Sequence, residues 1–266
     1  WLFKINNSTI EIYINEEKKL KIGDPENRFA LTSIGCAIAN IKVVADYYHI
    51  DLNTSYLLDL QKNLVAKITL LHIPKDAYDK GEPSHLAHKI ALRSVNRNKY
   101  SNKMPDIGFF NEVENFNKIY SVLNINWFSD EKSKTFIGEI SAKSSAEAMD
   151  QPGFLKELSH YVKNNLTSSK YGIPAFGMGI PTLVSFIAPT LIRYVNMDKL
   201  TEKANIKLFQ KFTPTVGVIS AKYDSPKDWI LVGEFYEYIA LIAEKFGLKT
   251  AIWGGPVMLR TFANKI

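Results

Sequence analysis

Residues 31–50, LTSIGCAIANIKVVADYYHI, and residues 229–248, WILVGEFYEYIALIAEKFGL, decide how the chain is organised. At an offset of 198, Gly35 falls on Gly233, Ile41 on Ile239, Val44 on Ile242, Ala45 on Ala243, Tyr48 on Phe246 and Ile50 on Leu248. In both stretches large apolar residues recur every three or four positions and small residues mark the tightest spots, which predicts helices. A proline lies near the start of each, in Asp24-Pro25 and in Ser225-Pro226. Asp or Ser can cap free amides there, and proline suits the first helical turn. Strand-like runs precede both helices, at residues 9–14 and 215–220. Any two core helices share apolar spacing, but coinciding Gly, Ile and Ala positions with similar flanks point to duplication. The long period makes the repeat unit domain-sized and excludes a solenoid. The expectation is two related halves, residues 1–80 and 81–266, paired about a pseudo-two-fold axis as in a homodimer.

Working outward, residues 64–71 read as a strand and residues 86–95 as a helix. Phe110, Val113, Phe116, Tyr120 and Leu123 keep helical spacing, residues 125–128 make a short strand, and residues 136–149 and 154–166 are helical again. Residues 76–83 are the most loop-like stretch before the second copy. The fold class is α+β, with helices around antiparallel or mixed sheets. Residues 173–192 carry no charge over about the length of a bilayer span. Pro174, Pro181, Pro189, Gly177 and Gly179 interrupt them, so they are read as a buried or pocket-covering helix with an irregular lead-in and not as a membrane span.

Composition narrows the classes. With 46% hydrophobic and 23% charged residues in 266, the chain is an ordinary globular protein. Its net charge of +6 favours a phosphate-bearing ligand, but the lysines are spread along the chain, which speaks against nucleic acid. A single cysteine, Cys36, excludes an internal disulfide and reads as a small buried side chain. No basic stretch followed by an apolar core opens the sequence, so a cytoplasmic protein is expected. The abrupt start at Trp1 and the end at Ile266, in a helix-like run, predict a piece of a longer protein.

Two segments are candidates for chemistry. In Arg93-Ser94-Val95-Asn96-Arg97, on or at the end of the predicted helix, two guanidiniums flank a hydroxyl. That set of donors and charges suits a phosphate, although basic residues at a helix C-terminus are also favoured by its dipole. In Trp253-Gly254-Gly255-Pro256 the paired glycines admit a flat ligand or simply make a turn, and on spacing alone the turn is preferred. His85 and His88 lack nearby acidic or cysteine partners for a metal, and none is expected. Nucleophile-elbow, Walker and dinucleotide-fingerprint patterns are absent.

Together these segments resemble the nitroreductase family of flavin proteins. Residues 91–100, ALRSVNRNKY, are similar to that family's Arg-Ser-x-x-Arg-x-x-Tyr/Phe opening. Residues 228–250 resemble its long core helix ending in Gly-Leu-x-Thr, and Trp1-Leu2-Phe3 resembles the end of its Asn-x-Gln-Pro-Trp-x-Phe segment. The duplicated layout and Gly172-Ile173-Pro174 resemble its single-chain tandem, Acg-type branch. The resemblance implies a sandwich of helices around a mainly antiparallel or mixed sheet, with two halves forming a pseudo-dimer. It implies FMN as cofactor, with Arg93, Ser94 and Arg97 on the phosphate and Gly254 and Gly255 beside the isoalloxazine. The implied activity is NAD(P)H-dependent reduction of nitroaromatic or quinone-type acceptors, by a monomer or homodimer. The alternative it implies is a non-catalytic flavin-storage protein, with residues 173–192 where a lid would lie. The first half lacks its own Arg-Ser motif, so a single flavin site is expected.

Overall fold

The computed structural model describes residues 1–59, 61–73, 85–169 and 171–259. The loop-like stretch 76–83, the expected boundary between the halves and the chain end at Ile266 lie outside the described residues. The chain is an α+β protein. Strands β1 (Leu2–Asn6), β2 (Thr9–Tyr13), β3 (Asp51–Asp59) and β4 (Leu64–His72) form an antiparallel sheet in the order β1-β2-β4-β3. Ile12 opposes Ala66 and Ile10 opposes Ile68, so alternate side chains of β2 and β4 reach one face. Helix α1 (Arg28–Tyr47) covers that face: Leu31, Ile34 and Ile38, spaced three and four apart, bury against Ile12, Val65 and Ile68. Each fully buried Leu or Ile of this layer stabilises by about 1.5–3 kcal/mol.

The helix starts three residues after Pro25, because Asn27 adopts a left-handed conformation (φ 59°). Asp24 still caps it from outside, accepting a 2.8 Å hydrogen bond from the Ala30 amide.

A second layer follows. Helix α2 (Ile107–Asn117), capped by Asp106 on the Gly108 amide at 2.7 Å, leads into β5 (Leu123–Phe128). Helices α3 (Glu131–Met149) and α4 (Phe154–Tyr161), the short parallel pair β6 (Val162–Lys163) and β7 (Ile173–Pro174), and the short helices α5 (Thr182–Ser185) and α6 (Ala188–Ile192) come next. Helix α7 (Met197–Phe212) packs along α3, β8 (Val216–Ala221) pairs antiparallel with β5, and α8 (Pro226–Lys245) and α9 (Gly255–Met258) follow. Ser225 caps α8 through a 3.3 Å bond from the Asp228 amide, with Pro226 as first residue. Phe235, Leu241 and Ile242 of α8 are buried with Phe109, Val113, Leu123 and Ile125 in this layer's core.

The two repeated helices meet each other. A Cβ built on Gly35 would collide with the Ile230 carbonyl, and one built on Gly233 would collide with the Thr32 carbonyl. At the offset of 198, Ile230 is the counterpart of Thr32, so the two contacts are reciprocal. Absent Cβ atoms let the helix backbones touch, which is the close approach that glycine permits.

Several sequence expectations are corrected. Residues 86–95 are not a helix: a 3-10 turn over Leu86–Lys89 gives way to extended chain, because Val95 bridges in parallel to Thr250. The helical run toward Leu123 ends at Asn117, and Leu123 opens β5. The run 154–166 stops at Tyr161. Asn164 and Asn165 there bond the Leu166 and Phe176 amides at 3.0 and 2.6 Å, competing with helical pairing. Residues 173–192 are no single helix, since Pro181 and Pro189 restart the chain as α5 and α6. Among the described residues, one helix, α1, is long and apolar enough to cross a membrane. It lies between the four-stranded sheet and α8.

Candidate functional site

A cavity of about 540 Å³ lies within the second layer. Its walls come from β5 and β8, from α3, α7 and α8, from the extended segment after Arg93, and from the loop between α8 and α9. Gly217 sits opposite Trp127 across the β5–β8 pair, and a Cβ there would approach the indole to 2.7 Å. The glycine therefore lets Trp127 lie flat over the strand. Phe109 meets Trp127 edge-on at 5.7 Å, and Phe209 meets Trp253 at 5.0 Å. Tyr100 and Tyr236 also line the space. Burial pushes the Tyr100 phenol up to about 12, so it is a neutral donor at physiological pH. Among the described residues the lining carries four cations, Arg97, Lys99, Lys103 and Lys249, the last paired with Glu244 at 2.5 Å, and no carboxylate.

Aromatic walls with cations and no acids suit a flat ligand bearing an anionic group, and the volume falls within the range of cofactor pockets, about 300–1,000 Å³.

The segments singled out in the sequence are brought side by side. Val95 bridges to Thr250, and the Asn96 amide donates to the Thr250 carbonyl at 2.9 Å. This places the basic segment beside the stretch of chain that leads into the paired glycines. Arg97 lines the cavity and is exposed. Nearby Asp198, whose carboxyl is raised above its ordinary 3.8 by burial, is drawn down by the Arg97 charge. Ser94 is exposed and lies off the cavity wall. Arg93 points elsewhere: its Nε lies 3.1 Å from Glu237 Oε1 on α8. Glu237 is buried and also accepts from Asn40 Nδ2 at 3.1 Å. Burial raises its carboxyl, and Arg93 and Asn40 oppose that.

Gly254 and Gly255 do not line the cavity either; Trp253, Pro256 and Val257 around them do. A Cβ on Gly254 would reach the Phe29 ring at 2.7 Å. One on Gly255 would strike Ser145 and come within 2.7 Å of Ser144, so here glycine allows the loop to seat against α1 and α3. No residue of 173–192 lines the cavity. His85 is engaged structurally, its Nε2 3.0 Å from Asp46 and its Nδ1 accepting the Ala87 amide at 3.1 Å.

Sequence reasoning missed a polar cluster at the seam between the layers. Glu234 on α8 is fully buried and receives Lys42 Nζ at 2.6 Å, Tyr56 Oη at 2.5 Å and Tyr120 Oη at 3.2 Å. Burial is the main cause raising both phenols, and the Glu234 charge adds to it. A smaller cavity of about 400 Å³ borders the cluster. The available signal was a carboxylate set among the apolar residues of α8, which demands a partner. Its partners come from α1, β3 and the turn after α2, so no local spacing reveals them.

Compared with known families and characterised proteins, the chain matches no family model and no characterised relative.

Proposed function

We propose that the chain is a cytoplasmic, FMN-dependent NAD(P)H oxidoreductase of nitroreductase type, acting on nitroaromatic or quinone-type acceptors. One observation carries this reading: the Arg93–Arg97 segment is stitched to Thr250 at the rim of an aromatic cavity whose lining holds four cations and no acid. Arg97, with Lys99 and Lys103, would hold the phosphoryl end by charge-assisted hydrogen bonds. Trp127, Phe109, Phe209 and Trp253 would flank the ring and exclude water. Arg93 would act as a positioning residue, pinned by Glu237 so that the following segment stays beside Thr250. FMN when bound supplies the hydride acceptor and donor, and the protein orients and tunes it. The same reading takes residues 1–80 and 81–266 as copies of one ancestral unit paired about a pseudo-two-fold axis. The reciprocal Gly35–Ile230 and Gly233–Thr32 contacts support that pairing.

Trp127 and Trp253 give the test a built-in reporter. FMN titrated into the purified protein should quench tryptophan emission saturably, and Arg97→Ala should weaken binding about tenfold to a hundredfold. Absence of quenching, or unchanged affinity in that variant, refutes the phosphate assignment. Bleaching of the bound flavin by NADPH or NADH is expected. A flavin that stays oxidised would turn the reading to storage.

A further inference from the structure

We propose that residues 171–194 form a preshaped face that docks on an anionic phospholipid surface. This segment is built inside out for a protein meeting only water. Its small residues are the buried ones: Ala175, Ser185 and Ala188, with Ile192, close over Val162. Its large apolar residues are outside, with Leu183 87%, Phe176 65% and Phe186 56% exposed, and Val184, Ile187 and Leu191 beside them in sequence also exposed. Apolar exposure concentrated in this way marks an interaction surface.

The charge around the face selects the partner. Between Glu157 and Asp198 the sequence contains no acidic residue, while Lys163 and Arg193 lie within that interval. Lys18, which follows Glu16 and Glu17, adds a further cation, its Nζ 4.2 Å over the ring of Tyr171, and Arg193 lies over the ring of Tyr194 at 5.8 Å. Apolar side chains bracketed by tyrosines and rimmed by cations match the layered chemistry of a bilayer surface: acyl boundary, aromatic belt and negative headgroups. The face lies on the membrane and does not cross it. Its longest helix, α6, has five residues, whereas a span needs about twenty. Its own small core and the β6–β7 pairing hold it in shape without lipid.

The experiment is flotation of the purified chain with phosphatidylcholine vesicles, with and without phosphatidylglycerol. The chain should float with the anionic vesicles and remain behind with the neutral ones. L183D/F186D should lower that partition at least tenfold with an unchanged melting temperature, since both side chains are more than half exposed. Arg193→Gln should lower it roughly fivefold, the worth of one cation at such a surface. Failure to bind anionic vesicles overturns the proposal, as does binding that L183D/F186D leaves intact. Conversion of a dimer to a monomer by L183D/F186D, with no flotation in either form, would assign the face to self-association instead.

Discussion

Alanine at Gly233 places a methyl group inside contact distance of the Thr32 carbonyl, and alanine at Gly35 does the same against Ile230. Neither obstacle is a side chain that can rotate away, so α1 and α8 must separate. Overpacking of this kind costs about 3 kcal/mol. Replacing glycine by alanine within a helix returns about 1 kcal/mol of propensity, leaving a net loss of about 2 kcal/mol for each variant. Because the contacts are reciprocal, Gly35→Ala and Gly233→Ala should cost the same. Because both strain one crossing, the double variant should lose about 3 kcal/mol and not the additive 4. Urea unfolding followed by circular dichroism measures this through the midpoint at constant slope. Gly177→Ala is the control, since a Cβ there meets only Ile173 at 3.9 Å, and its midpoint should barely move. Wild-type stability in Gly233→Ala, or a large cost at one glycine and none at the other, would refute the reciprocal crossing.

Glu234→Leu should destabilise by about 3–5 kcal/mol in the same assay, since it strands Lys42, the buried Tyr120 and the half-buried Tyr56; a loss below about 1 kcal/mol would remove the cluster from the stability account. Asp198 has a carboxyl raised by burial, so its ionisation opposes folding. The penalty is absent below the unfolded value near 3.8 and grows as pH rises through the folded value. Asp198→Asn should therefore gain stability relative to the parent at neutral pH and not at pH 3, and it should tighten FMN binding by relieving Arg97. Equal gains at both pH values would contradict this. Cys36 donates to the Gly233 carbonyl at 3.3 Å, and burial pushes its thiol up to about 12. Cys36 is only partly buried, but its thiol stays protonated, so iodoacetamide at pH 8 should label it slowly, and labelling at the rate of a free thiol would contradict this.

The elements whose periodicity was local were legible in the sequence. The 3.6-residue patterns of α1, α3 and α8 and the alternation of β2, β4 and β8 place those elements to within a few residues. What failed was decided by pairing at a distance. Ser94-Val95 reads as helical beside Leu86 and Ile90 until Thr250, far along the chain, offers a parallel bridge. The run 173–192, read as a buried or pocket-covering helix with an irregular lead-in, is instead divided into α5 and α6, and Asn165 bonds Phe176 and Ile180 across its first part. For the candidate site, Arg97 lies on the cavity, whereas Arg93 is claimed by Glu237 from a helix more than a hundred residues away. Gly254 and Gly255 serve seating against Phe29 and the α3 serines, a role that spacing cannot distinguish from ligand contact.

Helix α8 ties these pieces together, and its two buried carboxylates show how. Glu234 and Glu237 are three residues apart, so they project from neighbouring positions of one face. Glu234 takes Lys42 of α1 with Tyr56 of β3 and Tyr120 after α2, while Glu237 takes Asn40 of α1 with Arg93. Buried ion pairs of this kind add little net stability over apolar packing, but a misplaced partner leaves a bare charge inside the protein. Their effect is to fix register. Lys42 Nζ and Asn40 Nδ2 can both reach their carboxylates only when α1 crosses α8 near Gly35 and Gly233, and Arg93 can reach Glu237 only when the segment after it runs beside Thr250. The same crossing that joins the two layers thereby sets the position of Arg97 on the cavity wall. Replacing both members of the Arg93–Glu237 pair by apolar residues, which leaves no bare charge behind, should consequently disturb ligand affinity more than it disturbs folding.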